Sequence, residues 1–288
     1  MKAVYLKELR SFFNSMIGYV FSAFMIAMVG VYFALNNVTA GNPYFVTALN
    51  NALYLMLIAS PVLTMRSMAE ERRNRTDQAL LTAPIRARDI IGGKYAAMAT
   101  VFLVPHLVFL VCPLIIKSFG SWHWAVDYAG ILVFFLMGCA FISAGLFVSC
   151  LTENQLIAAV GTFVVVLVGY LWDTLISYLP QTPESSLVGI LLIIVLAFAV
   201  IRSVSGSTLS AAAVCALCAA AVLAAFFVNT AAFAGLLERV LESFSPTSPL
   251  STIIEAETLD ARGMIRYISY IILFLFLSVR SIERKRRS

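Results

Sequence analysis

The chain has 288 residues, of which 61% are hydrophobic and 12% charged, with a formal net charge of +5. A soluble domain carries about 25% charged residues; at a mean hydropathy of +0.93 this chain could not hide its apolar surface in a soluble fold. The basic residues fall in short runs between apolar segments rather than on one face with interleaved aromatics, which argues for a membrane as solvent and against nucleic acid as a partner.

Residues 1–14, MKAVYLKELRSFFN, set Val4, Leu6, Leu9, Phe12 and Phe13 among Lys2, Lys7, Glu8 and Arg10. That pattern predicts a short amphipathic helix lying in the membrane interface. Eight apolar runs follow, over residues 16–35, 45–65, 95–116, 128–149, 156–176, 185–201, 209–228 and 263–280. Each is read as a transmembrane helix, the lengths being near those needed to cross a hydrocarbon core. The expected fold is all-α: one polytopic helical membrane domain over residues 1–288.

Orientation follows from the charges. With the N-terminus in the cytoplasm, the inner segments hold sixteen basic residues and the outer ones only Lys117, Arg239, Arg262 and Arg266. This bias places both termini and the 66–94 loop inside, and requires an even number of spans.

Candidates for chemistry are few. His106 follows Pro105 within the third predicted span, and His123 stands between Trp122 and Trp124, an interfacial aromatic cluster. Cys215 and Cys218 form a C-x-x-C inside an alanine-rich helix, where small packing residues are the simpler reading. Gly138, Ser143, Ala144, Gly145 and Ser149 give the fourth span a small-residue face for close helix packing. Asp173, near the outer end of the fifth span, is either part of a translocation path, as ionisable groups at membrane depth tend to be, or wetted at the surface. No catalytic, cofactor-binding or metal-binding constellation emerges. The phosphate-binding pattern G-x-x-x-x-G-K-[ST] does not occur: Gly92-Gly93-Lys94 lacks the earlier glycine and is followed by Tyr95.

The 66–94 loop, RSMAEERRNRTDQALLTAPIRARDIIGGK, is longer and more patterned than a hairpin requires. Charges crowd around the apolar pair Leu80-Leu81, and Pro84 marks a helix stop. Its composition suits a docking surface, or equally a solvated loop that fixes topology.

Glu70-Glu71-Arg72-Arg73-Asn74-Arg75-Thr76-Asp77-Gln78-Ala79-Leu80-Leu81-Thr82-Ala83-Pro84, followed by Gly93-Lys94, resembles the inner-loop signature of ABC-2 type permeases. Lys7-Glu8-Leu9-Arg10-Ser11-Phe12-Phe13, Leu151-Thr152-Glu153-Asn154-Gln155 and the C-terminal Glu283-Arg284-Lys285-Arg286-Arg287 are similar in the same order along the chain. These segments look like the gliding-motility-associated branch of that family. Met16 stands where the branch often has proline, and Arg75 where many members have glycine. Residues 177–230 read as a helical hairpin added to a six-span core.

The resemblance implies a dimeric permease, of like or unlike chains, in the cytoplasmic membrane. It would carry a separate ABC ATPase subunit that holds the ATP and Mg, and export a substrate without being an enzyme itself. The 66–94 loop would be the coupling segment, acting through Glu70, Glu71, Arg72, Thr76, Asp77, Leu80, Leu81 and Pro84. An ATPase-independent secondary transporter or channel, or a non-transporting membrane assembly subunit, are the alternatives.

Overall fold

In the computed structural model of the chain, the residues described are 1–75, 85–120, 123–205, 208–228, 230–258 and 260–287; they are helical with short turns, and none is in a strand. The chain divides into two compact units: Met1–Tyr170 together with Pro246–Ser288, and Leu171–Ser245.

The first unit begins with α1, Lys2–Asn14, which buries Val4 and Phe12, leaves Lys2, Lys7 and Arg10 exposed and half-buries Glu8. At Met16 the backbone turns left-handed (φ 58°), so the chain re-enters a helix in a new direction as α2, Ile17–Phe33. This helix widens into a π-helical stretch, Ala34–Thr39. There Asn37 donates its amide to the carbonyls of Asn42 (2.8 Å) and Tyr44 (2.9 Å), which closes the following turn. The return segment is broken into α3, Phe45–Asn51, and α4, Met56–Thr64, bent by 44° across a short 3₁₀ turn. A one-turn helix α5, Ala69–Arg73, follows it.

Helix α6, Ala87–Phe109, runs through Pro105 without interruption. The break comes instead at Leu110–Val111, before α7, Cys112–Ser118, which opens on Pro113. Helix α8, Trp124–Leu151, is the centre of the unit: Ser143, Ala144, Leu146, Ser149 and Cys150 are all buried. A Cβ at Gly138 would lie 2.2 Å from the Phe102 ring, so only glycine lets α6 approach this closely. The small-residue face expected on this helix is therefore a packing face. Helix α9, Gln155–Tyr170, packs beside it. After the second unit, α10, Ser248–Ala256, and the long α11, Ala261–Arg287, complete the first.

The second unit, Leu171–Ser245, holds the helices Trp172–Ser177, Pro183–Ser205, Thr208–Val228 and Leu236–Glu242. Trp172 Nε1 donates to the Leu241 carbonyl (2.9 Å), and Leu237 packs into the space that Gly189 leaves by having no side chain. The unit encloses residues 177–230 and extends beyond them on both sides.

By length and composition, four helices among the described residues can cross a membrane: Ile17–Thr39, Ala87–Ser118, Trp124–Leu151 and Ala261–Arg284. The bent pair Phe45–Asn51 and Leu53–Arg73 makes a fifth if it is one span. The other apolar stretches, Gln155–Tyr170, Pro183–Val195 and Cys215–Ala224, are shorter. The run 156–176, expected as one span, is interrupted at Leu171, where one helix has ended and another begins at Trp172. The fold is that of an all-α polytopic membrane protein.

Candidate functional site

Chemistry concentrates at one end of the first unit, where the N-terminal helix meets the chain around the 66–94 loop. Helix α1 lies along α6, with Tyr5 and Thr100 hydroxyls 3.2 Å apart. The approach is close at Gly93, where a Cβ would stand 3.1 Å from the Met1 carbonyl oxygen and 3.0 Å from Val4 Cβ. Glycine at 93 brings the next residue, Lys94, under α1, where its side chain is 1% exposed.

A buried ammonium requires partners. Lys94 Nζ lies 2.9 Å from Glu8 Oε1 of α1 and 2.9 Å from Glu71 Oε2 of α5, and donates to the Ser67 carbonyl at 2.7 Å. Glu8 and Ser67 accept hydrogen bonds from the ammonium, and Glu71 supplies a second counter-charge beside it. Lys7 adds a second link, 2.9 Å from Glu71 Oε1 and 3.9 Å from Glu8 Oε1. Partial burial works against the Lys7 charge, but the hydrogen bond and charge of Glu71, with Glu8 behind, outweigh it and hold the ammonium above its ordinary range. Two cations and two anions thus join three elements that are distant in sequence.

Helix α5 is fixed from other directions too. The Ser149 hydroxyl of α8 accepts the N–H groups of Met68 (3.1 Å) and Ala69 (3.2 Å), which caps α5 from 80 residues away. Arg72, itself buried, reaches the Thr152 carbonyl at 3.4 Å. In the same turn the Asn154 side chain accepts the Leu156 N–H at 2.9 Å and starts α9. Arg286 near the C-terminus donates to the Ile85 carbonyl (2.9 Å). The described parts of the four segments that carry the ABC-2 resemblance therefore converge at this end. Between α1 and α5 lies a polar cleft of about 320 Å³, lined in part by Lys7, Ser11, Arg66, Glu70 and Asn74.

The residues predicted from sequence are placed unevenly. Glu70 faces the surface, with its carboxylate 3.8 Å from Arg66. Glu71 and Arg72 point inward and hold α5 against its neighbours. Thr76, Asp77, Leu80, Leu81 and Pro84 lie outside the described residues. Asp173 is exposed on the helix Trp172–Ser177 of the other unit. Sequence reasoning missed the roles of Glu8, Lys94 and Ser149. Lys94 and Glu8 do lie in the matched segments, so their signal was present, but their pairing was not.

The opposite end of the unit is built differently. From the charged end, Ile17–Thr39 covers 23 residues, about 35 Å at 1.5 Å per residue. Here Asp127, fully buried in the first turn of α8, accepts the N–H of Phe45 (2.7 Å) and of Val46 (3.4 Å). It caps the broken helix α3 from a neighbouring element. The Tyr44 ring lies tilted by 36° against His123 with centroids 4.5 Å apart, and the Tyr44 hydroxyl donates to Glu257. That bond, with desolvation second, holds the Tyr44 hydroxyl above its usual pKa. His106 is buried among Phe102, Phe109, Phe134 and Phe135, with Nδ1 2.8 Å from the Phe102 carbonyl oxygen. Among the described residues no three His, Cys, Asp or Glu side chains gather to hold a metal.

The family described as ABC-2 family transporter protein matches residues 2–186, from α1 to the start of the long helix Pro183–Ser205. No curated protein and no solved structure matches the chain. The family match thus takes in α1, α5, the Gly93-Lys94 pair and the Thr152 turn, which are the elements joined at the charged end. The chain belongs to the ABC-2 transporter family and is a multi-pass membrane protein, a permease component of an ABC transporter.

Proposed function

We propose that the chain moves a substrate out across the cytoplasmic membrane as one half of a permease dimer, driven by a separate ABC ATPase that docks on the charged end. The observation that carries this reading is the convergence there of α1, α5, the start of α6, the Thr152 turn and the C-terminal helix. The same end holds most of the basic residues, which supports a cytoplasmic position for both termini. Export, rather than import, follows from the resemblance of the inner loop. Glu70 on the surface, with Thr76, Asp77, Leu80, Leu81 and Pro84 beyond it, forms the contact with the ATPase. Glu71 and Arg72 hold that segment in place. The ATP and Mg stay with the partner. Eight spans, six of them in the unit Met1–Tyr170 with Pro246–Ser288, fit the charge bias and its even parity.

The test is the double variant Leu80→Asp, Leu81→Asp. Burial of two such side chains stabilises an interface by about 1.5–3 kcal/mol each, and a charge in the same groove opposes docking. The variant should insert into the membrane normally but fail to co-purify with its ATPase, or co-purify without permease-dependent ATP turnover. Normal binding with normal turnover would overturn the coupling role of the loop.

A further inference from the structure

We propose that Glu8, through Lys94, is a positioning residue that locks the N-terminal helix α1 to α5, so that both move as one body when the ATPase closes. This rests on the coupling role of the 66–94 loop and deepens it. The loop would then push not only on the spans it connects but on an amphipathic helix lying in the membrane interface.

The geometry sets this cluster apart from surface ion pairs. Exposed pairs rearrange easily and contribute little to holding two elements together. Lys94 is 1% exposed, and its partners Glu8 and Glu71 are 13% and 12% exposed. Lys94 donates hydrogen bonds to Glu8 of α1 and to the Ser67 carbonyl just before α5, and the Glu71 carboxylate of α5 stands 2.9 Å away as its second counter-charge. Moving α1 away from α5 would strip a buried ammonium of one carboxylate with little water to replace it. Lys7 doubles the connection by holding the other oxygen of Glu71. Val4 and Phe12 are buried on α1, and Leu9 and Phe13 pack against the same core, contacts that carry no direction of their own. Gly93 brings the Met1 carbonyl to van der Waals distance but supplies no directional bond. The charges therefore supply the directional tie between α1 and α5.

The expected behaviour differs from that of a merely stabilising cluster. Spin labels at Arg10→Cys on α1 and Asn74→Cys beside α5, with native cysteines replaced by alanine, read the distance between the two elements. In the complex with the co-purified ATPase, that distance should be single and unchanged between the nucleotide-free state and the state trapped with ATP and vanadate. Glu8→Gln removes one counter-charge while keeping an acceptor oxygen, and leaves Glu71 and Ser67 on Lys94, so the fold is retained. It should broaden the distance distribution and lower permease-dependent ATP turnover about ten-fold, a typical coupling effect, with ATPase binding intact. Glu8→Asp, which keeps the charge, should restore part of the turnover.

A distance that shifts on trapping in the unaltered complex would overturn the proposal. So would full turnover in Glu8→Gln with a broadened distribution. The parent reading fails separately, when the Leu80→Asp, Leu81→Asp variant binds its ATPase and turns over normally. Should the cysteine-substituted complex not assemble, reversible bridging of Ser11→Cys to Asn74→Cys across the cleft with a bifunctional methanethiosulfonate, in the chain with its native cysteines kept, replaces it. Bridged complexes should turn over ATP as the reduced ones do, and a loss reversed by reductant would refute the common motion.

Discussion

At the charged end of the first unit, Lys7, Glu8, Glu71 and Lys94 share contacts across α1, α5 and α6, whereas at the opposite end a single carboxylate, Asp127, holds backbone N–H groups. Both arrangements tie sequence-distant elements together. They differ in what is at stake when they open. A charge network strands ions when one member leaves, so it favours all-or-none movement of whole elements. A backbone cap fixes one helix end and leaves its neighbours free. The charged end is thus suited to passing a rigid-body motion between elements, and the other end to keeping a broken span, α3 and α4, in register.

The largest expected effect is at the centre of the network. Lys94→Met leaves Glu8 and Glu71 facing each other with the buried cation gone and only the exposed Lys7 beside them. Breaking a buried pair by removing one partner costs about 3–5 kcal/mol, and Lys94 is too buried for water to screen much of this. Thermal unfolding of the detergent-solubilised protein should show a large drop in stability. A loss below about 1 kcal/mol, the level of an exposed pair, would erase the difference between the two ends.

Next comes the opposite end. Asp127→Ala leaves the Phe45 and Val46 N–H groups without their acceptor in a buried setting, an effect of about 1–3 kcal/mol. Asp127→Asn keeps an acceptor oxygen in the same place and should recover most of that loss in the same melting experiment. If asparagine were as damaging as alanine, charge rather than hydrogen bonding would hold this end, and the two ends would work alike.

How much of this was legible in the sequence depends on the range of the interaction. Apolar length alone located α2, the α6–α7 segment, α8 and α11, because hydrophobic matching to a bilayer is a local property. The break at Leu171 carries no proline or glycine at that position, so the 156–176 run read as continuous. Asp127 sits just ahead of the predicted fourth span, and nothing near it announces partners 81 and 82 residues away. Lys94 and Glu71 were both visible in the resemblance, the first as a topology charge and the second as a docking charge. Their burial against each other is tertiary, and no spacing rule encodes it. The same holds for Ser149, which was read as a small packing residue on α8 and also caps α5.

That cap gives a smaller effect. Ser149→Ala removes the acceptor shared by Met68 and Ala69, and loss of a helix cap costs about 1 kcal/mol. Because α5 is also held by Glu71 and Arg72, the loss should stay local and appear as faster hydrogen exchange over residues 68–73 with little change in melting. A global drop as large as that of Lys94→Met would mean that the cap, and not the ions, holds the charged end.

The smallest effect distinguishes the ends by its sign. Arg75 follows α5 with φ 57°, a left-handed conformation that side chains with a Cβ adopt at some expense, and its N–H closes on the Arg72 carbonyl at 3.0 Å. Glycine relieves that strain, and many members of the family carry glycine there. Its extra freedom in the unfolded chain takes back part of the gain, so Arg75→Gly should stabilise by about 0.5 kcal/mol. At the opposite end Glu257 has nearly the same backbone, φ 51°, at the end of α10. There the side chain accepts the Tyr44 hydroxyl, so Glu257→Gly gains the same relief and loses that bond. Arg75→Gly should therefore raise the melting temperature slightly and Glu257→Gly should not. If both raise it equally, the Tyr44 contact contributes nothing, and Asp127 alone ties down the end of the unit where α3 begins.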